Sequence, residues 1–285
     1  MSMLQMQTAI ARLCVDPPFR REFLRDPEGA LREYDLTGAE RAAVYTIDAS
    51  AIHDYAQSLI AKRMGLIGKW FPLTVGLLQR SLSAHEYHHL VERYSIEHVP
   101  TNEQLGGEWA RTEFFVFYGF LFRCVPQLPQ RVRYFEDTAR FEAAHFDLIT
   151  GEEACRSARH AASEEPGPLA AGDRPRRCCH AKLEEFGYDM TALVPALEAG
   201  ETPEAAEQRT AVLFVRQKQV PKVWTSVVSE PLRELLALCD GARSVEEIAE
   251  AMAEQYAGAA GAAEIRDDVV GILQQLRDAG AIEAA

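Results

Sequence analysis

Leu235-Leu236-Ala237-Leu238-Cys239-Asp240-Gly241-Ala242-Arg243-Ser244-Val245-Glu246-Glu247-Ile248-Ala249-Glu250-Ala251-Met252 is the stretch that decides the fold. An apolar helical run closes on a glycine, the residue that stops a helix at no steric cost. Ser244 to Met252 then opens a second helix, and Val269-Val270-Gly271-Ile272-Leu273-Gln274-Gln275-Leu276 carries a third. Val269, Leu273 and Leu276 fall at the spacing of one buried face.

Upstream of these helices the pattern becomes strand-like. Ala211 to Arg216 (AVLFVR) and Lys222 to Val228 (KVWTSVV) are rich in Val, Phe and Trp, and His180 to Phe186 reads as a further strand. A short helix over Met190 to Ala199 ends at Gly200. Three strands and three short helices with compact turns give a winged-helix-like domain over 180–285, an arrangement that more often binds than catalyses. Before it, 156–179 is rich in Ala, Glu, Pro, Gly and Arg without periodicity and reads as a linker. Segment 49–155 is dominated by helical periodicity. Segment 1–48 is helical too: Asp16-Pro17 and Asp26-Pro27 start helices, and Thr37-Gly38-Ala39-Glu40 has the capping-box pattern. The fold class is therefore α+β, mainly α, with an N-terminal helical part and a C-terminal winged-helix-like domain.

Composition narrows the function classes. With 285 residues the chain holds about two domains, and 47% hydrophobic with 26% charged residues describes a globular protein. A net charge of −13 argues against sequence-independent nucleic-acid binding and against anionic membrane surfaces. The longest apolar passage, Phe114 to Val125, is broken by Arg123 and too short to span a bilayer. Met1 to Leu13 lacks the unbroken apolar core of a secretory signal, and the six cysteines have no disulfide-scaffold spacing, so the chain reads as cytoplasmic with reduced thiols.

Several short patterns invite a chemical reading. His85-Glu86-Tyr87-His88-His89 matches H-E-x-x-H, which on a helix would place two imidazoles one turn apart for zinc with Glu86 as general base. Ser83 stands three residues before Glu86, so the same residues form a capping box, and only Glu108 and Glu113 are conceivable third ligands. Adjacent Cys178 and Cys179 before His180 are poorly placed for one tetrahedral site. Cys239 sits on an apolar helix as a small buried hydrophobe, with Cys14 and Cys124 on similar faces. Glu142 and His145 lie three apart, but a di-metal bundle needs several such pairs. Gly106-Gly107 and the Gly/Ala run over 257–263 lack the context of a phosphate loop. No catalytic residue and no metal ligand is assigned.

Three resemblances concern function. The strand Lys222 to Val228, the run Leu235 to Ile248 and the close Asp278-Ala279-Gly280-Ala281-Ile282 resemble the PqqD-like domains called RiPP recognition elements. That resemblance implies a domain that grips the leader of a ribosomally made precursor peptide. The middle of the chain resembles the helical domain of partner proteins of multinuclear non-haem iron-dependent oxidases (MNIO). The similarity runs through Tyr55 to Phe71-Pro72, Glu86-Tyr87 to Arg93-Tyr94, Tyr134 to Glu142, Tyr188 to Leu193 and Thr210 to Arg216. It implies a partner oxidase that supplies the iron, with no cofactor in this chain. Asp16-Pro17 to Leu24, Asp26-Pro27 and Tyr34 to Thr37 resemble the small helical subunit of LigAB-type extradiol dioxygenases, which shields an active site supplied mainly by its partner.

An exposed sheet edge supplies the physics. A peptide laid along it completes the ladder, and side pockets choose its sequence. In Lys222 to Val228, Val223, Thr225 and Val227 point to one face while Trp224, Ser226 and Val228 point to the other. The last helix is expected to form a second wall through Val270, Gln274 and Arg277. These residues are the candidate peptide-binding set. The expected function is a non-catalytic accessory subunit that presents a precursor leader to an iron oxidase in a hetero-oligomer. The rivals are a zinc metalloprotein using His85, Glu86 and His89, and a winged-helix DNA regulator. The helix such a regulator would use carries Glu246, Glu247, Glu250 and Glu254 and neither Lys nor Arg.

Overall fold

The computed structural model describes residues 2–98, 109–151, 167–201, 203–217, 220, 222–256 and 261–284. The chain divides into two compact units, Met1–Phe135 and Glu136–Ala285. It is mainly helical, with one three-stranded antiparallel sheet and one two-stranded sheet among the described residues. None of the described helices is long and apolar enough to cross a membrane.

The first unit is helical: α1 (Ser2–Val15), α2 (Pro17–Arg25), α3 (Pro27–Ala30), α4 (Gly38–Tyr45), α5 (Ala49–Trp70), α6 (Pro72–Ser81), α7 (Ala84–Glu97), α8 (Trp109–Cys124) and α9 (Leu128–Arg131). Its helix starts follow local chemistry. The Asp16 carboxylate accepts from Phe19 N at 3.0 Å, and Asp26 accepts from Gly29 N at 3.0 Å, each with proline in the first turn. Thr37 and Glu40 form the expected capping box. So do Ser83 and Glu86: the Ser83 amide donates to Glu86 at 2.9 Å while the hydroxyl accepts from Glu86 N. Leu13, Phe19, Phe23, Leu31, Tyr34 and Val44 bury into one core around the first four helices. A second core is aromatic: Phe71 stacks on Phe114 at 3.9 Å and Tyr94 meets Phe117 edge-on at 4.9 Å.

Inside that aromatic core sits a polar network. Arg63 and Glu113, 8% and 5% exposed, are ion-paired. The Tyr94 hydroxyl donates to the same carboxylate at 2.5 Å, and the Arg63 guanidinium lies 4.3 Å from the Tyr94 ring centre. Glu113, one of the conceivable zinc ligands, is thereby engaged in holding α5, α7 and α8 together. Glu108, the other, lies outside the described residues.

The second unit opens with α10 (Phe135–Thr150), whose first residue belongs to the first unit. It continues with β1 (Pro175–Arg177), β2 (Ala181–Phe186), α11 (Met190–Glu198), β3 (Thr210–Arg216), β4 (Val223–Val228), α12 (Glu230–Leu238), α13 (Val245–Tyr256), α14 (Ala262–Asp278) and β5 (Ile282–Ala284). The sheet order is β2-β3-β4, antiparallel throughout. One face, carrying Leu213, Val215 and Val228, packs on α12, α13 and α14 through Leu235, Leu236, Ile248, Met252, Val269, Leu273 and Leu276. Gly200 and Gly280, at φ +73° and +76°, take the left-handed conformation that ends α11 and α14, whereas α12 ends at Leu238, ahead of Gly241.

The opposite face is covered by α10, which the sequence pattern assigns to the helical segment 49–155. Phe141 packs between Phe186 and Phe214, at 6.1 and 5.1 Å. Asp137 in the first turn accepts from Gly187 N and Tyr188 N at 2.6 and 3.0 Å. Arg140 pairs with Glu184 at 3.0 Å. In the last turn the Arg216 guanidinium donates to the carbonyls of Leu148, at 2.8 Å, and Ile149. These bonds place the unit boundary ahead of α10. The expected linker 156–179 lies outside the described residues up to 166. From 169 its backbone is tied down, with Val245 N donating to Asp173 O at 2.9 Å and Glu246 N to Ala171 O at 3.2 Å.

Two outcomes are expected. Arg63→Met leaves a buried carboxylate unpaired and lowers unfolding free energy by about 3–5 kcal/mol in denaturant titrations; a loss below about 1 kcal/mol would contradict the network. Glu86 is held down at about 2, first by the Ser83 amide and then by Arg131, from an ordinary 4.5. A depressed carboxylate contributes stability that is present above its unfolded pKa and is lost as pH falls through the folded one. The stability difference between the wild type and Glu86→Gln, measured in urea, therefore shrinks from pH 6 towards pH 2. A difference constant with pH would remove the cap from the account.

Candidate functional site

Strand β4 is an edge of the sheet, and no strand among the described residues pairs with its outer side. The direction of its backbone follows from two bonds. Arg216 N donates to His180 O, so Arg216 faces β2, and its neighbour Val215 faces β4. Gln217 N donates to Lys222 O, giving the same parity from the other end. With Val215 opposite Trp224 and Leu213 opposite Ser226, the amides and carbonyls of Trp224, Ser226 and Val228 turn inward to β3. Those of Val223, Thr225 and Val227 turn outward.

Side chains alternate with the same register. Val223, Thr225 and Val227 share the face of Phe214 and Arg216, beside α10. Trp224, Ser226 and Val228 share the face of Val215 and Leu213, beside the three-helix cluster. Val228 is core, while Trp224 is 46% and Val227 45% exposed, one on each face. Plain core packing therefore does not account for Trp224. In the described part of the second unit the exposed large apolar residues are Val220, Trp224, Val227 and Val270. Three of the four lie on β4 or its lead-in, and Lys222 at the head of the strand is exposed as well.

The other edge, β2, differs in chemistry. It carries Lys182, Glu184 and Glu185, with Lys182 paired to Glu184 at 3.2 Å and Glu185 to Arg233 at 2.8 Å. Charges along an edge disfavour added strands. Strand β4 has none, so of the two edges it is the one built to accept a neighbour.

The α14 residues are placed differently from one another. Val270 is exposed. Gln274 accepts at 2.8 Å from the amide of Leu169, and the Arg277 guanidinium lies 3.9 Å from Asp173. Both side chains meet the chain's own segment before β1, which also caps the start of α13. Spacing on the helix placed them on one stripe with Val270 but carried no sign of that strap. A cavity of about 660 Å³ lies instead across the end of the sheet, lined by Val227 and Val228, the beginning of α12 and the end of β2.

The other motifs resolve locally. His85 and His89 are exposed on α7, and Glu86 is taken by Ser83 and Arg131. Among the described residues no three His, Cys, Asp or Glu side chains gather as a metal site. Burial pushes the Cys239 thiol up to about 12, and the group donates to Leu235 O, consistent with a small apolar filler. Cys178 is buried and Cys179 exposed. His145 on α10 is partly buried and its pKa is lowered by desolvation, while Glu142 is buried.

Residues 233–282 match the family model of coenzyme PQQ synthesis protein D (PqqD). The match runs from within α12 to the first residue of β5, so it covers the three helices that pack on the sheet and not the sheet itself. No curated protein matches the chain.

The parity of β4 is open to a direct test. Thr225→Pro removes an outward N–H and is expected to keep the melting temperature within a few degrees, since proline is tolerated where an edge strand faces solvent. Ser226→Pro removes an inward ladder bond and is expected to lower it far more. Equal damage from the two, followed by circular dichroism, would reverse the assignment.

Proposed function

We propose that this chain is a non-catalytic accessory subunit that binds the leader of a ribosomally synthesised precursor peptide and presents it to a partner iron-dependent oxidase. The observation that carries the reading is the uncharged edge of β4, with its outward backbone at Val223, Thr225 and Val227 and exposed Trp224 and Val227, in the same compact unit as the PqqD match. An extended peptide completes such a ladder through main-chain bonds and gains selectivity from the side chains on either face. Lys222 to Val228 would supply the contact strand, and exposed Val270 on α14 would add an apolar contact. Gln274 and Arg277 would join only where the 169–173 strap lets go of them, so the proposal puts its weight on the strand.

The helical first unit is proposed as the surface that meets the oxidase, in keeping with the resemblance to MNIO partner proteins, which starts at Tyr55 in this unit and runs on to Arg216 in the second, and, over 1–48, with the resemblance to a small dioxygenase subunit. Joining leader binding and enzyme docking in one chain raises the concentration of the precursor core at the enzyme without adding a catalytic group. The DNA-regulator reading is weakened by α13, which carries Glu246, Glu247, Glu250 and Glu254 and no basic residue.

The test is a calorimetric titration of the full chain with leader peptides of short precursors encoded beside it, together with turnover by the neighbouring oxidase. Binding is expected, with at least tenfold weakening in Trp224→Ala and Thr225→Pro, and the oxidase is expected to convert the precursor only when this chain is present. Binding untouched by both variants, or full conversion without the chain, would overturn the proposal.

A further inference from the structure

We infer that the cavity at the end of the sheet is a second pocket for the same guest peptide, taking one large apolar side chain from the residues flanking its paired strand. The inference rests on the reading of β4 as the docking edge. The floor of the cavity supports it. Glu185, Ala211 and Val228 stand in one row across β2, β3 and β4, on the face of the helical cluster. Ala211, the smallest side chain of that row, lines the hollow of about 660 Å³ together with Glu185 and Val228.

On the charged rim Glu185, Glu230 and Arg233 are paired with one another and Asp189 caps the start of α11, while Arg209 is exposed. Arg233 bonds Glu185 at 2.8 Å and binds Glu230 through two of its nitrogens. Arg233 lowers the pKa of the Glu230 carboxyl, first through its side-chain hydrogen bond. A guanidinium satisfied by two carboxylates has little to offer a single guest charge, so the apolar floor of Ala211 and Val228, with Val227 at the strand edge, decides what binds. Apolar pockets with a few placed polar groups at the mouth take bulky apolar groups.

Continuity with the strand identifies the occupant. Val227 lines the cavity and is also the last residue of β4 whose backbone turns outward. A guest paired with Val223, Thr225 and Val227 leaves the sheet at that point, with the cavity beside its next residues. A second polypeptide would have to share Val227 with it.

The experiment is an mRNA-display selection of random fourteen-residue peptides on the full chain, repeated on A211L, which fills the floor, and on T191W, which fills from the exposed rim on α11. Thermal melts confirm that each variant is folded. Enriched peptides are expected to fix one Leu, Met, Phe, Tyr or Trp at a constant offset from the paired segment. Its replacement by Ala is expected to weaken wild-type binding about tenfold or more, and to have no effect on A211L or T191W. Absence of a fixed bulky position, a fixed Lys or Arg in its place, or equal weakening in all three proteins would overturn the inference. The same peptides measured on T225P separate this pocket from the strand reading: undiminished affinity there sinks the strand, whereas affinity lost in T225P with no cavity dependence sinks only the pocket.

Discussion

The outer side of β4 is the constraint around which the second unit is organised. Its inner amides and carbonyls are committed to β3, and both faces of the sheet are claimed, one by α12, α13 and α14 and the other by α10. Along β4 what is left is a row of backbone groups at Val223, Thr225 and Val227, flanked by the exposed side chains of Trp224 and Val227. Unpaired strand edges are an aggregation hazard, and proteins ordinarily blunt them with charge. Here β2 is blunted and β4 is not. That asymmetry, more than any single side chain, makes the strand a docking element.

The double covering of the sheet bears on how firmly the edge is held. Asp137 ties the beginning of α10 to the turn after β2, and Arg216 ties its last turn to the end of β3. A strand fixed in position loses less conformational entropy on pairing than one that must first be ordered. On the other face, the strap from Leu169 to Asp173 bonds the beginning of α13 and the side of α14, fastening the helical cluster to the backbone that leads into β1.

Much of this was legible from residues alone, wherever the cause is local. Asp16, Asp26, Thr37 and Ser83 begin helices because an oxygen three residues ahead of an amide is all a cap needs. The stripe Val269, Leu273 and Leu276 is buried, and the alternation in Val223 to Val228 gave the correct faces. What stayed hidden depends on distant partners. The periodicity of α10 says that it buries a face but not against which sheet. Gln274 looked like a groove residue because nothing near it in sequence announces Leu169, a hundred positions away. Glu113 looked like a spare ligand because its partners, Arg63 and Tyr94, come from other helices. The H-E-x-x-H match shows the same limit from the other side: a capping box and a zinc motif share their letters, and only the Ser83 geometry tells them apart.

The measurement that bears most directly on the central claim is residue-resolved amide hydrogen exchange along β4 in the free chain. The account predicts rapid exchange at Val223, Thr225 and Val227 and protection at Trp224, Ser226 and Val228, with the first three slowing once a leader peptide is bound. Protection of all six in the free chain, or the opposite alternation, would mean that the edge is already occupied or faces the other way, and would contradict the account.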